Sequence, residues 1–262
     1  MTTEATSEDT RVFYFHYAWV IVAIIAVMQM VGTSIRMAFG VFIEPLSYQF
    51  GWSQAGITFA YALSSIVSAV ASPLAGSIGD RVGARKTLIL GTLLFLVGMI
   101  ATGYVTNLWQ LYITYGVVLG IAQSIFLVPL IPAAMTWFRR HLGLGMGLIM
   151  ASWGVGPALA APIIGLLIGK FGWQIAFWIT GIVSATIMAI LITKFANSPS
   201  DKGLVPYGVL SNDLQYSIKR PSAKRLREFS GYMQKTAGYW NMSSIHFLGC
   251  VGHAVILIYI IQ

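Results

Sequence analysis

Arg36 stands in an apolar stretch, with Val31-Gly-Thr-Ser-Ile before it and Met37-Ala-Phe-Gly-Val-Phe-Ile after it. A cation inside a membrane span costs about 2.5–3.5 kcal/mol on insertion scales. A guanidinium facing a wet cavity can hold a carboxylate through two parallel hydrogen bonds. The alternative is a side chain that snorkels to the nearer membrane surface. Glu44 does not serve as its partner, because eight residues of helix separate them by about 12 Å. Gln123 offers its amide either to a cavity or to a neighbouring helix. His246 and His253, seven residues apart, share a helix face and could titrate near neutral pH. They lack the closer spacing and further ligands of a metal site, so no metal or cofactor is read here. The single cysteine, Cys250, excludes a disulfide framework and reads as a small apolar residue. Nucleophile–base constellations, phosphate loops and nucleic-acid modules are absent from the sequence, so neither an enzyme nor a nucleic-acid partner is read.

The elements that position these residues follow from composition. Of 262 residues, 57% are hydrophobic and only 9% charged, with a mean hydropathy of +0.76. So little charge cannot solvate a soluble domain of this size, which carries about 25%. Apolar runs predict helices near Tyr17–Ile43, Gln54–Ile78, Thr87–Thr106, Leu108–Phe138, Leu142–Lys170, Gln174–Lys194 and Asn241–Gln262. Each approaches or exceeds the roughly 20 residues that cross a bilayer. The expected fold is therefore all-α and polytopic. With the N-terminus inside, fourteen of the sixteen Lys and Arg fall in inner segments and only Lys170 in an outer one. That asymmetry predicts a cytoplasmic N-terminus. The aromatic turns Phe50-Gly51-Trp52 and Phe171-Gly172-Trp173 suit the opposite interface. The expected domains are a polar tail (1–16), a six-helix bundle (17–195), a basic linker (196–239) and one further helix (240–262). A surface helix near Lys224–Gln234 and contact of the basic cluster with anionic lipid are further expectations.

Between the second and third helices lies Gly76-Ser-Ile-Gly-Asp80-Arg81-Val-Gly83-Ala-Arg85-Lys86. Ser64, Ser68, Ser72 and Gly76 precede it at four-residue spacing, on one face that a neighbouring helix can approach closely. Asp80 could cap a neighbouring helix or pair with a basic side chain, and Gly83 permits the tight turn. This loop resembles that of the major facilitator superfamily of transporters, whose pattern G-x3-D-R-x-G-x-R-K it matches. The resemblance implies a twelve-helix fold, of which this chain holds the six-helix N-terminal bundle and a seventh helix. It also implies a gating-latch role for Gly76, Asp80, Arg81, Gly83, Arg85 and Lys86. In the fifth helix, Gly143, Ser152, Gly156 and Pro157 are similar to the family's Gly/Pro pattern, with Ser152 in place of a glycine.

A finer likeness is to the monocarboxylate-transporter and oxalate/formate-antiporter branch. It rests on Arg36-Met-Ala-Phe-Gly-Val-Phe-Ile-Glu44-Pro45, Thr136-Trp-Phe-Arg-Arg, Phe171-Gly172-Trp173 and Lys202-Gly-Leu-Val-Pro206-Tyr-Gly. By that resemblance Met37, Leu127 and Trp153 join Arg36 and Gln123 as cavity residues. Met37 and Leu127 are apolar, which speaks against oxalate itself. No Arg precedes Gly120 by four residues, which makes a drug/proton antiporter a poorer match; Gly116 stands there instead. The function implied is a secondary carrier of a small organic anion, working by alternating access. The expected partners are that anion, the lipid bilayer and a C-terminal six-helix half; the chain itself reads as a fragment, inactive alone. The alternatives are a carrier of sugars, peptides or drugs, or a seven-helix receptor, whose retinal form would need a Lys in the last helix.

Overall fold

The computed structural model describes residues 16–209, 228–229 and 231–260. They are almost entirely helical, and the one extended pairing among them is an isolated bridge between Phe138 and Tyr207. Six helical segments among the described residues are long and apolar enough to cross a membrane: Tyr17–Phe50, Gln54–Val82, Ala84–Thr102, Leu108–Thr136, Leu142–Phe171 and Trp173–Lys194. They are called spans one to six below. The compact unit they form continues to Val209; Leu210–Gln262 is a second unit. The second unit contains the helix Ala237–Ile260, four residues longer at its start than the hydropathy reading. The side chains of His246, Cys250 and His253 lie outside the described ones, as do residues 224–227 of the expected surface helix. That segment is helical at 228–229 and 231–233.

Two spans are not regular helices. Span one is α-helical over Tyr17–Met37, tightens to a 3-10 turn over Ala38–Phe42, and resumes as α-helix over Ile43–Phe50. Pro45 explains the change, since it has no N–H and its ring crowds the carbonyl four residues earlier. The sequence reading stopped this helix at Ile43, at the irregular turn, and so missed the continuation. Span four opens with a short α-helix, Leu108–Leu111, passes through a π-helix over Tyr112–Leu119, and continues as α-helix over Gly120–Thr136. Nothing in the hydropathy pattern announced the π-helical segment.

Lipid gives no hydrophobic drive between helices, so close contact of small residues must hold them. Span one packs most extensively on span five, span two on span four, and span three on spans four and six. A Cβ at Gly156 would lie 2.5 Å from the Met30 carbonyl oxygen and 2.7 Å from Ser34 Oγ. A Cβ at Gly120 would lie 2.8 Å from the Ser64 carbonyl oxygen. Both glycines therefore let backbones touch. Ser64 and Ser68 are buried, and Gly76 faces Val128 of span four, so the small-residue face of span two is in use. Hydroxyls on these helices bond back to their own carbonyls, as Thr33 to Gln29 (2.8 Å) and Ser72 to Ser68 (2.7 Å).

Spans one and four are the inner ones, each 61% buried over its most apolar window; spans two and five are 22% and 17% buried. Much of spans two and five thus has no cover within this unit. On span five, Gly143, Gly147 and Gly154 have nothing within 4 Å of an added Cβ. The contrast gives a clean test. Gly156→Ala is expected to destabilise the bundle by about 1–3 kcal/mol, because the added methyl overpacks a backbone contact. Gly154→Ala, on the uncovered face, is expected to be neutral or slightly stabilising. Thermal unfolding of the two variants in lipid nanodiscs reads the difference.

Candidate functional site

Arg36 sits in the last turn of the first α-helical segment, just before the 3-10 turn. Its side chain turns toward span two. Nη2 donates to Ser65 Oγ of span two at 2.8 Å, and the guanidinium carbon lies 5.6 Å from the Tyr61 ring centroid. Ser65 in turn donates to the Tyr61 carbonyl at 3.1 Å. One turn of span two thus grips the cation by a hydroxyl and by an aromatic face. Glu44 is exposed at the far side of the 3-10 turn and is not its counter-charge. No ion pair neutralises Arg36 among the described residues.

A small cavity adjoins the guanidinium, lined by Gly32, Arg36, Ser64, Tyr115, Leu119 and Gln123, with Ile35 and Phe95 completing it. About 10 Å³ is open to the centre of a water, the room of one water molecule. Four spans contribute: the first, second, third and fourth. The π-helical segment carries Tyr115 and Leu119 to the cavity wall. Tyr115 is buried, and its ring packs against that of Phe39, tilted by 31° with centroids 4.1 Å apart. Two buried N–H donors on residues that line the cavity have no partner among the described residues: Arg36 Nε and Gln123 Nε2. A third orphan, Gln29 Nε2, lies two turns earlier on span one. Buried donors without acceptors are rare and costly, and at a site they mark where a ligand or water belongs.

The residues expected at the cavity separate into two groups. Arg36 and Gln123 meet at its wall. Met37, Leu127 and Trp153 do not line it; Met37 and Leu127 are half-buried, and Trp153 is 38% exposed. Ser152 turns inward and bonds the Ile149 carbonyl at 2.6 Å. Of the prolines in span four, Pro129 is buried against Gly79, and Pro132 is exposed. Pro157 is half-buried beside Gly156. Reading the sequence missed Ser65, Tyr61 and Tyr115. The stripe of Ser64 and Ser68 signalled a contact face, but Ser65 lies one residue off it.

The segment expected as a loop is helical: Gly76–Val82 end span two, Ala84–Lys86 begin span three, and Gly83 alone stands between them, at the end of the bundle that also carries Arg139 and Arg140. Asp80, Arg81, Arg85 and Lys86 are exposed. Asp80 has no hydrogen-bond or ion-pair partner among the described residues. Gly83 adopts φ +93°, which only glycine takes readily, and it is the N-cap of span three. The Arg85 N–H donates to Asn197 Oδ1 at 2.9 Å.

Comparison with known proteins places this geometry. The Major Facilitator Superfamily sequence profile matches residues 21–260. Monocarboxylate transporter 12-B of Danio rerio is 24% identical over 208 residues, which cover 79% of this chain and 43% of that protein. Monocarboxylate transporter 12 of Homo sapiens is 26% identical over 63% of this chain and 32% of its own length. The fold is similar to the xylose transporter XylE of E. coli in an inward open conformation, with a TM-score of 0.57 and 16% identity. That likeness covers 70% of this chain and 49% of the transporter. The chain thus spans less than half the length of these relatives. With six apolar spans, a helical bundle and a family profile matching nearly its whole length, the chain belongs to the Major Facilitator Superfamily.

Proposed function

We propose that this chain supplies the first half of a secondary carrier for a small organic anion, a monocarboxylate above all. The observation that carries the reading is Arg36: a cation within a membrane span, gripped from one side, with no carboxylate to neutralise it among the described residues and an orphan N–H at the cavity. An uncompensated charge there is costly, and a carboxylate supplies both the opposite charge and the missing acceptors. Gln123 offers a second donor to the same ligand. The names of the relatives support a monocarboxylate.

The remaining roles follow from the family. A second six-helix half would close over the cavity, and the sparse cover of spans two and five supports that arrangement. Rocking of the two halves would open the site to either side in turn. Room for one water cannot admit a three-carbon acid, so the cavity must widen to load. The N-terminus would lie in the cytoplasm, with the basic loops inside. Gly76–Lys86 would then be a gating segment at the inner face. Met37, Leu127 and Trp153 would approach substrate only in the wider conformation. Residues 17–195 form the bundle in this reading, 196–239 the linker and 240–262 the first helix of the second half.

Uptake of labelled lactate, pyruvate, formate and oxalate into proteoliposomes tests the proposal, using the complete coding frame. Saturable uptake of at least one acid is expected. Arg36→Ala is expected to abolish it, and Arg36→Lys to raise KM about tenfold, because a point charge replaces a planar fork. Saturable uptake that survives Arg36→Ala unchanged would sink the assignment of Arg36.

Gln123→Leu probes the second donor. It preserves size and removes the N–H, so KM is expected to rise about tenfold with little change in maximal rate. An unchanged KM would return Gln123 to a packing role.

A further inference from the structure

We infer that Asn197 is a positioning residue for the segment Gly76–Lys86, capping span three from outside it, and that Phe195–Gly208 is a strap rather than free linker. The inference rests on the gating reading of that segment. It starts from a deficit. The first amides of a helix have no partner within it, and an N-cap side chain usually supplies one. Span three has Gly83 at that position, held at φ +93° and carrying no side chain. The conformation that makes the turn excludes the residues that would cap it.

Asn197, 112 residues later in the chain, fills the gap. Its Oδ1 accepts from Arg85 N–H at 2.9 Å. An amide N–H can only donate, so the Asn197 atom facing it is the oxygen. A Cβ at Gly83 would stand 3.4 Å from Asn197 Nδ2, so the turn and the cap are in contact. A weaker return contact exists: Arg85 Nη2 lies 3.5 Å from the Thr193 carbonyl, in the last turn of span six. A cation there suits the negative end of that helix. The start of span three and the end of span six are thereby tied to each other.

Asn197 is itself held in place. Its carbonyl accepts from Thr136 Oγ1 at 3.2 Å, and the Ala196 carbonyl accepts from the buried Trp137 Nε1 at 3.3 Å. Ser198 and Asp201 form a capping box for the next turn, and Gly203 reverses the chain in the left-handed region. Tyr207 then pairs its backbone with the loop between spans four and five: its N–H donates to Trp137 O at 2.8 Å, and its carbonyl accepts from Arg139 N–H at 2.9 Å. The Tyr207 ring lies among His16, Trp19 and Phe138. Gly208 closes the segment where a Cβ would meet Arg140 Cβ at 2.7 Å. The strap is thus fastened at both ends, and it meets the first turn of span three through one side-chain oxygen.

Amide exchange over residues 84–88, measured by mass spectrometry on the 262-residue chain in lipid nanodiscs, tests the cap. Asn197→Ala is expected to speed exchange there about fivefold, the typical effect of losing an N-cap. Asn197→Asp, which keeps an acceptor oxygen and adds charge favoured at a helix N-terminus, is expected to restore protection. Asn197→Leu, which keeps the bulk and removes the acceptor, is expected to exchange as fast as Asn197→Ala, whereas a purely steric role would leave it protected. Exchange unchanged in Asn197→Ala, or equally fast in Asn197→Asp, overturns the inference. In the complete carrier, Asn197→Ala is expected to lower the maximal uptake rate at least threefold and Asn197→Asp to regain it; full uptake by Asn197→Ala removes the positioning role. The gating reading fails separately, when Asp80→Asn and Arg81→Ala leave uptake untouched.

Discussion

Everything in this bundle depends on how closely two backbones can approach without a hydrophobic drive between them. Lipid tails are as apolar as leucine, so helices associate through van der Waals fit and a few polar contacts. Gly120 against the Ser64 carbonyl brings span four against span two at the level of the cavity. That contact sets Gln123, one turn along span four, near Ser64, and both line the same space as Arg36. Ser65, adjacent to Ser64, then faces span one and takes the guanidinium. The site is the by-product of a packing contact: a larger residue at position 120 would part the two spans that present the cation and the amide.

The π-helical segment bears on the same geometry. Over Tyr112–Leu119 the chain gains extra residues per turn relative to an α-helix. It is anchored on span two at its start and its middle: the Tyr112 hydroxyl donates to the Gly56 carbonyl at 3.1 Å, and Gly116 packs on Leu63. Between these anchors Tyr115 is turned onto Phe39 and the cavity. An irregular helix costs hydrogen-bond quality, and such segments gather at functional sites. Here the irregularity aims one aromatic side chain at the pocket that holds the cation.

How much of this was legible in the sequence depends on the range of the interaction. Hydropathy located the spans because crossing hydrocarbon is a property of each helix alone. Arg36 was legible for the same reason, as a charge where charge is costly. Ser65 and Tyr61 were not, because a serine or tyrosine in a helix carries no mark of what faces it. Boundaries failed where Pro45 and Gly83 act: the first tightens a helix without ending it, and the second starts span three at Ala84 rather than Thr87. The resemblance supplied Met37, Leu127 and Trp153, which this conformation leaves outside the cavity wall. Asn197 sits among Ala, Ser and Pro in what reads as linker, and its role exists only through a partner 112 residues away.

The basic end and the cavity share span four. Span two carries Ser65 and Tyr61 near its middle and leads into the Gly76–Lys86 segment at its end. Span four carries Gln123 and Tyr115 above, and below it Thr136 and Trp137, which hold the strap. Pro73 lies between the two levels on span two, and Pro129 and Pro132 lie between them on span four, so each helix has a proline at which it can bend. On the proposed reading, an anion held by Arg36 and Gln123 would join spans one and four, while at the far end the strap joins spans three and four. Coupling of this kind needs no long pathway. On that reading it would run through span four, which carries Gln123 at one level and Thr136 at the other.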